Sequence, residues 1–377
     1  MALQSAFTLT ANEIYNTLAN MIISQQVFAD NLSKHQTLVD KARVDGGLYG
    51  DTKLYYATDV LKSVEWGVAK GREEEQLEAK NLLDLDRAED PEVQAIKLDI
   101  FRQIRLTVDN YLTKRAFADE GTFASFNGVM LGWMQETKKV YDGTLYNVFI
   151  GTTETNVGKQ IVEIEIDKSA APAMSAGESI AKGMADLFTE MSDYTRDFND
   201  YGYLRSYGDS EIKVIWNAKY FNQVKKIDLP SIFHDDALQS VFTGDVMPGR
   251  YFGTVQKTKV AAAQNDGTYR SLKETDVTVS GQVKHLFPGD LIPASIDIEL
   301  DLDKDKQRTI PVAYKEDDDI ICKVVTKLPP YMSAFETGTS FFNPRSLTEN
   351  HYLTFGHNTL QYLKNYPFIT VKAKAKA

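Results

Sequence analysis

Several stretches of this sequence bring together residue types that do chemistry elsewhere. GTTETNVGKQ, over 151–160, sets two glycines ahead of a lysine. A phosphate-binding loop keeps four residues between its glycines and follows its lysine with Ser or Thr, so that backbone N–H groups cradle phosphate and the hydroxyl reaches magnesium. Here six residues separate Gly151 from Gly158, and Gln160 follows Lys159. Nucleotide binding is not expected. The five histidines, at 35, 234, 285, 351 and 357, are scattered. His351 and His357 lack helical-face spacing, and no cysteine pair accompanies them, so no metal site is expected. His234-Asp235-Asp236 offers an imidazole beside carboxylates, but with loop spacing and no G-x-S-x-G nucleophile motif. Glu316 to Asp319 has the charge for a cation. A calcium loop, however, spaces its ligands and carries a glycine, so a solvated acidic turn is expected. Cys322 is the one cysteine and lies in the apolar run IICKVV, which predicts a buried, inert thiol. The residue types thus predict no catalytic constellation, no cofactor and no metal: a protein that is not an enzyme.

The elements that would carry such residues read as an α+β chain. Thr10 and Glu13 make a capping box, and Ile14, Leu18, Met21, Ile22, Phe28 and Leu32 follow at mostly helical spacing, predicting a helix over 11–41 that is broken at most once. DTKLYYATDVLKSVEW and VQAIKLDIFRQIRLTVDNYL read as strands. Ile96, Leu98 and Ile100 are assigned to one side, and Ile104, Leu106 and Val108 to another. The charged stretch AKGREEEQLEAKNLLDLDRAEDPE joins them, so the whole is either an arm lying on a neighbouring subunit or an ordinary surface hairpin. Next, Phe123, Phe126, Met130, Trp133, Thr137 and Val140 alternate spacings of three and four, which predicts a helix from Asp119 to about 142 with Trp133 in the core. QIVEIEID and EIKVIW read as strands. Ser175 and Glu178 cap an amphipathic helix carrying Ile180, Met184, Leu187, Phe188 and Met191, and Asn217 caps a short helix after EIKVIW. Residues 245 to 310 return to β structure, with a turn at Asn265-Asp266-Gly267. IICKVV is a buried strand. The C-terminal strand sets Lys372, Lys374 and Lys376 on one face, expected to meet an acidic patch on a neighbour.

The 377 residues are long for one domain, and 43% are hydrophobic, enough for a large core. No apolar run approaches the roughly 20 residues of a membrane span, and the N-terminus has no signal-peptide pattern. With 42 basic and 53 acidic residues the net charge is −11, which argues against a protein that grips nucleic acid over a broad surface. A container is not excluded, since an acidic wall lets packed DNA slide; solubility alone also accounts for the charge.

Four strings carry a resemblance: AIKLDIFRQIRLTVDNYLTKRAF (95–117), FNGVMLGWMQETKKVYDGTLYNVFIGT (126–152), DYTRDFNDYGYLRSYGD (193–209) and NHYLTFGHNTLQYLKNYPF (350–368). With the order of elements they resemble the major capsid proteins of tailed bacteriophages, which have the HK97-type fold. The resemblance implies an N-arm (1–47) and an extended β-hairpin, the E-loop, with flanking strands (48–110). It further implies a peripheral domain with a long spine helix (111–147), an axial domain (148–245), and the remaining axial and peripheral strands (246–377). It implies self-assembly through hexamers and pentamers into an icosahedral or prolate shell around double-stranded DNA, without sequence-specific binding and without a membrane. Portal and decoration proteins would be further partners. The arm's strands begin by residue 51, so a scaffolding protein would be a separate chain. The place would be the virion capsid, assembled in the host bacterial cytoplasm. The candidate intersubunit contacts are Arg72, Glu73, Glu74, Glu75 and Arg87 at the E-loop tip. A cellular cargo shell of the encapsulin kind, or a ligand-binding α/β protein with the hairpin as lid, are the alternatives.

Overall fold

The computed structural model describes residues 37–47, 51–63, 88–109, 120–166, 174–224, 244–279, 281–303 and 308–375. In chain order the elements are α1 (Leu38–Ala42), β1 (Arg43–Asp45), β2 (Thr52–Ala57), β3 (Glu92–Asp109), α2 (Glu120–Thr152), β4 (Ile161–Ile166), α3 (Met174–Ser192), β5 (Lys213–Asn217), α4 (Ala218–Val224), β6 (Asp245–Met247), β7 (Gly253–Val255), β8 (Tyr269–Ser271), β9 (Thr275–Val279), β10 (Gln282–Leu286), β11 (Asp301–Asp303), β12 (Arg308–Ile310), β13 (Ala313–Glu316), β14 (Ile320–Val325), β15 (Tyr331–Asn343), β16 (Thr348–Asn358) and β17 (Phe368–Ala375).

Among the described residues two five-stranded sheets organise the fold. One has the order β4-β17-β14-β5-β6, with β17–β4 and β5–β6 parallel and the β14 pairings antiparallel. Its centre is IICKVV, buried at all six positions, because a strand covered on both faces needs an unbroken apolar run. α3 covers one face: Ile180, Met184, Leu187 and Met191 pack on Val214, Trp216, Val324 and Val371. The C-terminal half of α2 covers the other, with Tyr146, Val148 and Ile150 against Ile215, Ile320 and Phe368. Asn217 turns β5 into α4 as expected: its Oδ1 accepts from the Lys219 N–H at 3.1 Å, while its Nδ2 donates to the Ile320 carbonyl at 3.0 Å. A smaller β layer, order β7-β13-β8, closes over Val260, Leu286, Ile292, Ile298 and Ala313. Its Asn265–Gly267 turn forms as expected, with Gly267 at φ +80°, a conformation glycine adopts without a Cβ clash.

The second sheet has the order β1-β15-β16-β3-β2. The 18-residue strand β3 joins two pairings. Its first part, Glu92 to Lys97, forms the hairpin with β2, and the rest pairs with β16 from Leu98 to Asp109. The return strand of the arm is thus mostly integrated into a sheet, because β16 supplies backbone partners over twice the length that β2 does. Ile96, Leu98, Ile100, Ile104, Leu106 and Val108 all lie on the inward, shielded side, so the division between two sides is corrected: an unbroken strand keeps one parity throughout.

A helix starts at Thr37, whose extended backbone (ψ 156°) precedes α1, within the helix expected over 11–41 with at most one break; the stretch before it lies outside the described residues. Two further expectations change. α2 runs to Thr152, ten residues past the expected end. It can continue because Gly151 lets it meet the Tyr251 carbonyl, which a Cβ would approach to 2.0 Å. Trp133, placed in the core by its spacing, is 42% exposed. The buried face instead carries Met134, Lys138, Tyr141 and Asp142, because two charged residues on it are paired with partners on other elements.

Candidate assembly surface

The arm is rooted before it leaves the body. Asp59, just past β2, accepts from Arg196 at 2.6 Å and from the Leu204 N–H at 3.0 Å, and Arg205 donates to the Thr58 carbonyl at 2.6 Å. The Arg196 hydrogen bond, with the Leu204 N–H, holds the Asp59 carboxyl down at about 2. Lys327 lies between the rings of Tyr55 and Tyr366, at 5.5 and 5.3 Å, seating β2 on the body. Beyond this root the two legs remain close, with Lys62 and Glu89 3.3 Å apart. Arg72, Glu73, Glu74, Glu75 and Arg87 belong to 64–87, outside the described residues.

Alternation along β2, β3 and β15 gives the second sheet an outward face. Tyr56 stands opposite Val93 and Leu54 opposite Ala95, and Phe101 follows on the same side of β3. Phe341 opposes Asn350, which in turn opposes Thr107, so it joins this face at the far end. Tyr56, Leu54, Val93, Phe101 and Phe341 are all exposed, Tyr56 and Phe341 by more than 60%. A strand of 18 residues spans ~60 Å, so the face extends far along the subunit. Between its apolar ends the face is polar, with Gln103 bonded to Thr354 at 3.1 Å and Thr107 to Asn350 at 2.7 Å.

The inward face is fixed to α2 by a polar junction that apolar periodicity could not reveal. Asp142 is buried, and its carboxylate accepts from Tyr331 Oη at 2.6 Å and from Arg43 at 3.4 Å; Lys138 stands 3.8 Å away and binds Glu336 at 2.7 Å. Burial pushes the Asp142 carboxyl above its ordinary range, against the Tyr331 hydrogen bond and the Lys138 charge. His357 stacks on Tyr331, with centroids 5.7 Å apart. Its Nδ1 lies 3.0 Å from the Asn358 carbonyl, an acceptor, so Nδ1 donates; Nε2 then accepts from Tyr141 Oη at 3.0 Å. Burial favours this neutral ring. One network thus joins the chain after α1, α2, β15 and β16. Tyr331→Phe removes the shortest of these hydrogen bonds from a buried carboxylate, and urea melts should show a loss of about 1.5–3 kcal/mol.

The other residues weighed from sequence fall as follows. Gly151 is in α2, and Gln160 is buried, its Nε2 donating to Asp200 at 2.8 Å and its Oε1 accepting from the Phe368 N–H at 3.1 Å. Lys159 pairs with Asp197 at 3.0 Å. The 151–160 stretch is thus knitted into the fold. His351 and His357 share a face of β16 but lie ~20 Å apart along it. His35 and His234-Asp235-Asp236 are outside the described residues. In the acidic turn, Asp317 accepts from the Asp319 N–H and Asp318 meets Lys219 at 3.1 Å. Cys322 is buried, its Sγ 3.7 Å from Met184 Sδ, and burial raises the thiol's pKa. Lys372 and Lys374 do not await a neighbour's acidic patch: Lys372 lies 2.8 Å from Glu154 and Lys374 2.7 Å from Glu163 of the same chain. The parallel partner strand β4 supplies that glutamate, which the sequence separates by about two hundred residues. Among the described residues no His, Cys, Asp or Glu group is arranged to hold a metal, and no helix is long and apolar enough to cross a membrane.

No family model matches the sequence, and no curated protein matches it. Solved structures do. A chain of the capsid structure of Staphylococcus phage Andhra superposes with a TM-score of 0.57 at 10% identity, covering 90% of this chain and 84% of that one. A chain in the structure of head fiber and inner core protein gp22 of native bacteriophage P68 gives 0.56 at 11% identity, covering 88% and 83%. The likeness covers about nine-tenths of the chain, and the chain has the HK97-type fold found in tailed-phage capsids.

Proposed function

We propose that this chain is a structural subunit that self-assembles, through hexamers and pentamers, into the icosahedral or prolate capsid enclosing the double-stranded DNA of a tailed phage. The observation that carries the reading is the outward face of the second sheet, with Tyr56, Leu54, Val93, Phe101 and Phe341 exposed, in a chain with a capsid fold. Exposed apolar side chains of this size, grouped as Tyr56, Leu54 and Val93 at one end of the face and set as Phe341 at the other, mark contact surfaces, and a second copy is the partner a capsid supplies. The parts follow the implied map: residues 1–47 as N-arm, 48–110 as E-loop with its strands, 111–147 as the spine-helix region, 148–245 as axial domain and 246–377 as the remaining strands. Arg72, Glu73, Glu74, Glu75 and Arg87 are assigned to contacts between subunits. The role is non-catalytic, with a separate scaffolding protein, a portal and decoration proteins as further partners, and assembly takes place in the host cytoplasm.

Removing residues 64–87, which spares Lys62, Glu89 and all of β3, should leave the circular dichroism spectrum and melting of the core close to wild type. Shells or capsomers, scored by negative-stain electron microscopy and sedimentation with and without scaffold, should be lost. A wild-type chain that stays monomeric at every concentration under both conditions would refute the shell reading. Global unfolding of the deletion would refute only the assignment of the arm to contacts between subunits.

A further inference from the structure

The hairpin of β9 and β10 stands out from the small β layer. Four of the five β10 residues are exposed, and only Leu286 at its base is buried. At that base His285 lies opposite Asp276 in the hairpin register. Its Nδ1 is 2.6 Å from Asp276 Oδ1, and its Nε2 is 2.7 Å from Glu274 Oε1. Ionised carboxylates only accept hydrogen bonds, and a neutral imidazole carries a single N–H. Two contacts of this length therefore require the imidazolium. Glu274 is also the link to the rest of the subunit, since its Oε2 meets Arg102 of β3 at 2.6 Å. Arg102 in turn covers the Tyr141 ring on α2, with 4.8 Å to the centroid.

We propose that His285 is the protonated key of a pH-dependent clasp that ties the β9–β10 hairpin, through Glu274 and Arg102, to the long sheet and spine helix. Among the described residues the groups around the ring are few. Glu274 and Asp276 come from the β9 side, Arg102 from β3, and Tyr141 and the neutral His357 lie behind Arg102. Lys273 is occupied by Asp301, and the Phe287 ring stands edge-on at 5.2 Å. Burial works against the imidazolium, but the hydrogen bonds it donates to Asp276 and Glu274 outweigh it, so the pKa lies above that of free histidine. The clasp is therefore closed below the unfolded value of about 6.5 and is lost as pH rises through the raised folded value. Once neutral, the ring turns a lone pair toward one carboxylate, and that contact opens. Where that contact is the one to Glu274, Glu274 keeps Arg102 and its covalent link to β9 but loses its hold on β10. The inference stands on this geometry and does not depend on the shell reading.

The test uses the full chain labelled at histidine Cε1, with the His285 resonance assigned by its absence in His285→Gln. Its titration midpoint should lie above about 6.5. Hydrogen exchange across 275–286, corrected for intrinsic pH dependence, should be at least roughly ten-fold slower at pH 6 than at pH 8.5; ten-fold corresponds to about 1.4 kcal/mol. His285→Arg, which offers donors to both carboxylates at every pH, should show slow exchange at both values. His285→Gln should exchange fast at both. A midpoint at or below that of free histidine, or wild-type hairpin exchange that is equal at the two pH values, overturns the clasp. If His285→Gln does not fold, the arginine variant and the wild-type titration still decide it.

Discussion

Trp216→Ala is expected to destabilise the subunit by about 3–5 kcal/mol, enough to leave much of the expressed protein insoluble. Trp216 is fully buried on β5, between α3 and the central strands and 6.3 Å from the Phe221 ring. A cavity of tryptophan size at the middle of a sheet covered by helices cannot collapse without moving α3. Trp133→Ala supplies the contrast. Trp133 is 42% exposed on α2, outside the buried clusters, so urea melts should shift by no more than about 1 kcal/mol. Equal losses for the two variants would show that Trp133 is part of the subunit core.

The second large effect is a pH dependence. Lys323 is fully buried in β14, where its Nζ donates to the Thr153 carbonyl, just past the end of α2, and to Thr370 Oγ1, both at 2.8 Å. Burial lowers its pKa to about 7, against the opposing charge of Glu154. The neutral amine still has two N–H groups, so both hydrogen bonds survive deprotonation. Between pH 7 and 10 the unfolded chain holds a proton that the folded chain has released, so stability rises with pH across that window. Relative to Lys323→Met, the wild type should gain roughly 3–4 kcal/mol between pH 7 and 10, measured by urea denaturation at each pH. A difference that stays level would mean that Lys323 keeps its charge when folded.

Runs that are apolar on both sides, such as IICKVV and the KVIW of β5, were legible as buried strands because no other element hides so many β-branched and aromatic residues. The stripe of Ile180, Met184, Leu187, Phe188 and Met191 was legible as a helix face, and all five are buried. The cap at Asn217 and the turn at Gly267 were legible because each rests on bonds made within a few residues. The resemblance strings gave the fold of the whole chain, which the superposition on the Andhra capsid chain supports.

What failed to show has a common cause. Over residues 132–142 the spine helix buries a different face from the one its periodicity predicts, which counts Trp133 as core and Lys138 and Asp142 as surface; Phe123, Phe126 and Met130 of the expected stripe lie outside the described side chains. The fold reverses this by bringing Arg43, Tyr331 and Glu336 to those charges. Lys323 sits unmarked inside an apolar run, its partners Thr153 and Thr370 distant in sequence. Lys372 and Lys374 find their glutamates only where β17 lies beside β4, and β3 finds its main partner in β16. The sequence by itself determined the local elements and the apolar centre, since propensity, capping and alternation act over a few residues. The tertiary structure alone decided which charges are buried, which face of α2 and of β3 is open, and how the arm is rooted. A charged side chain is buried only when a partner arrives to offset its desolvation, and here those partners come from elsewhere in the chain.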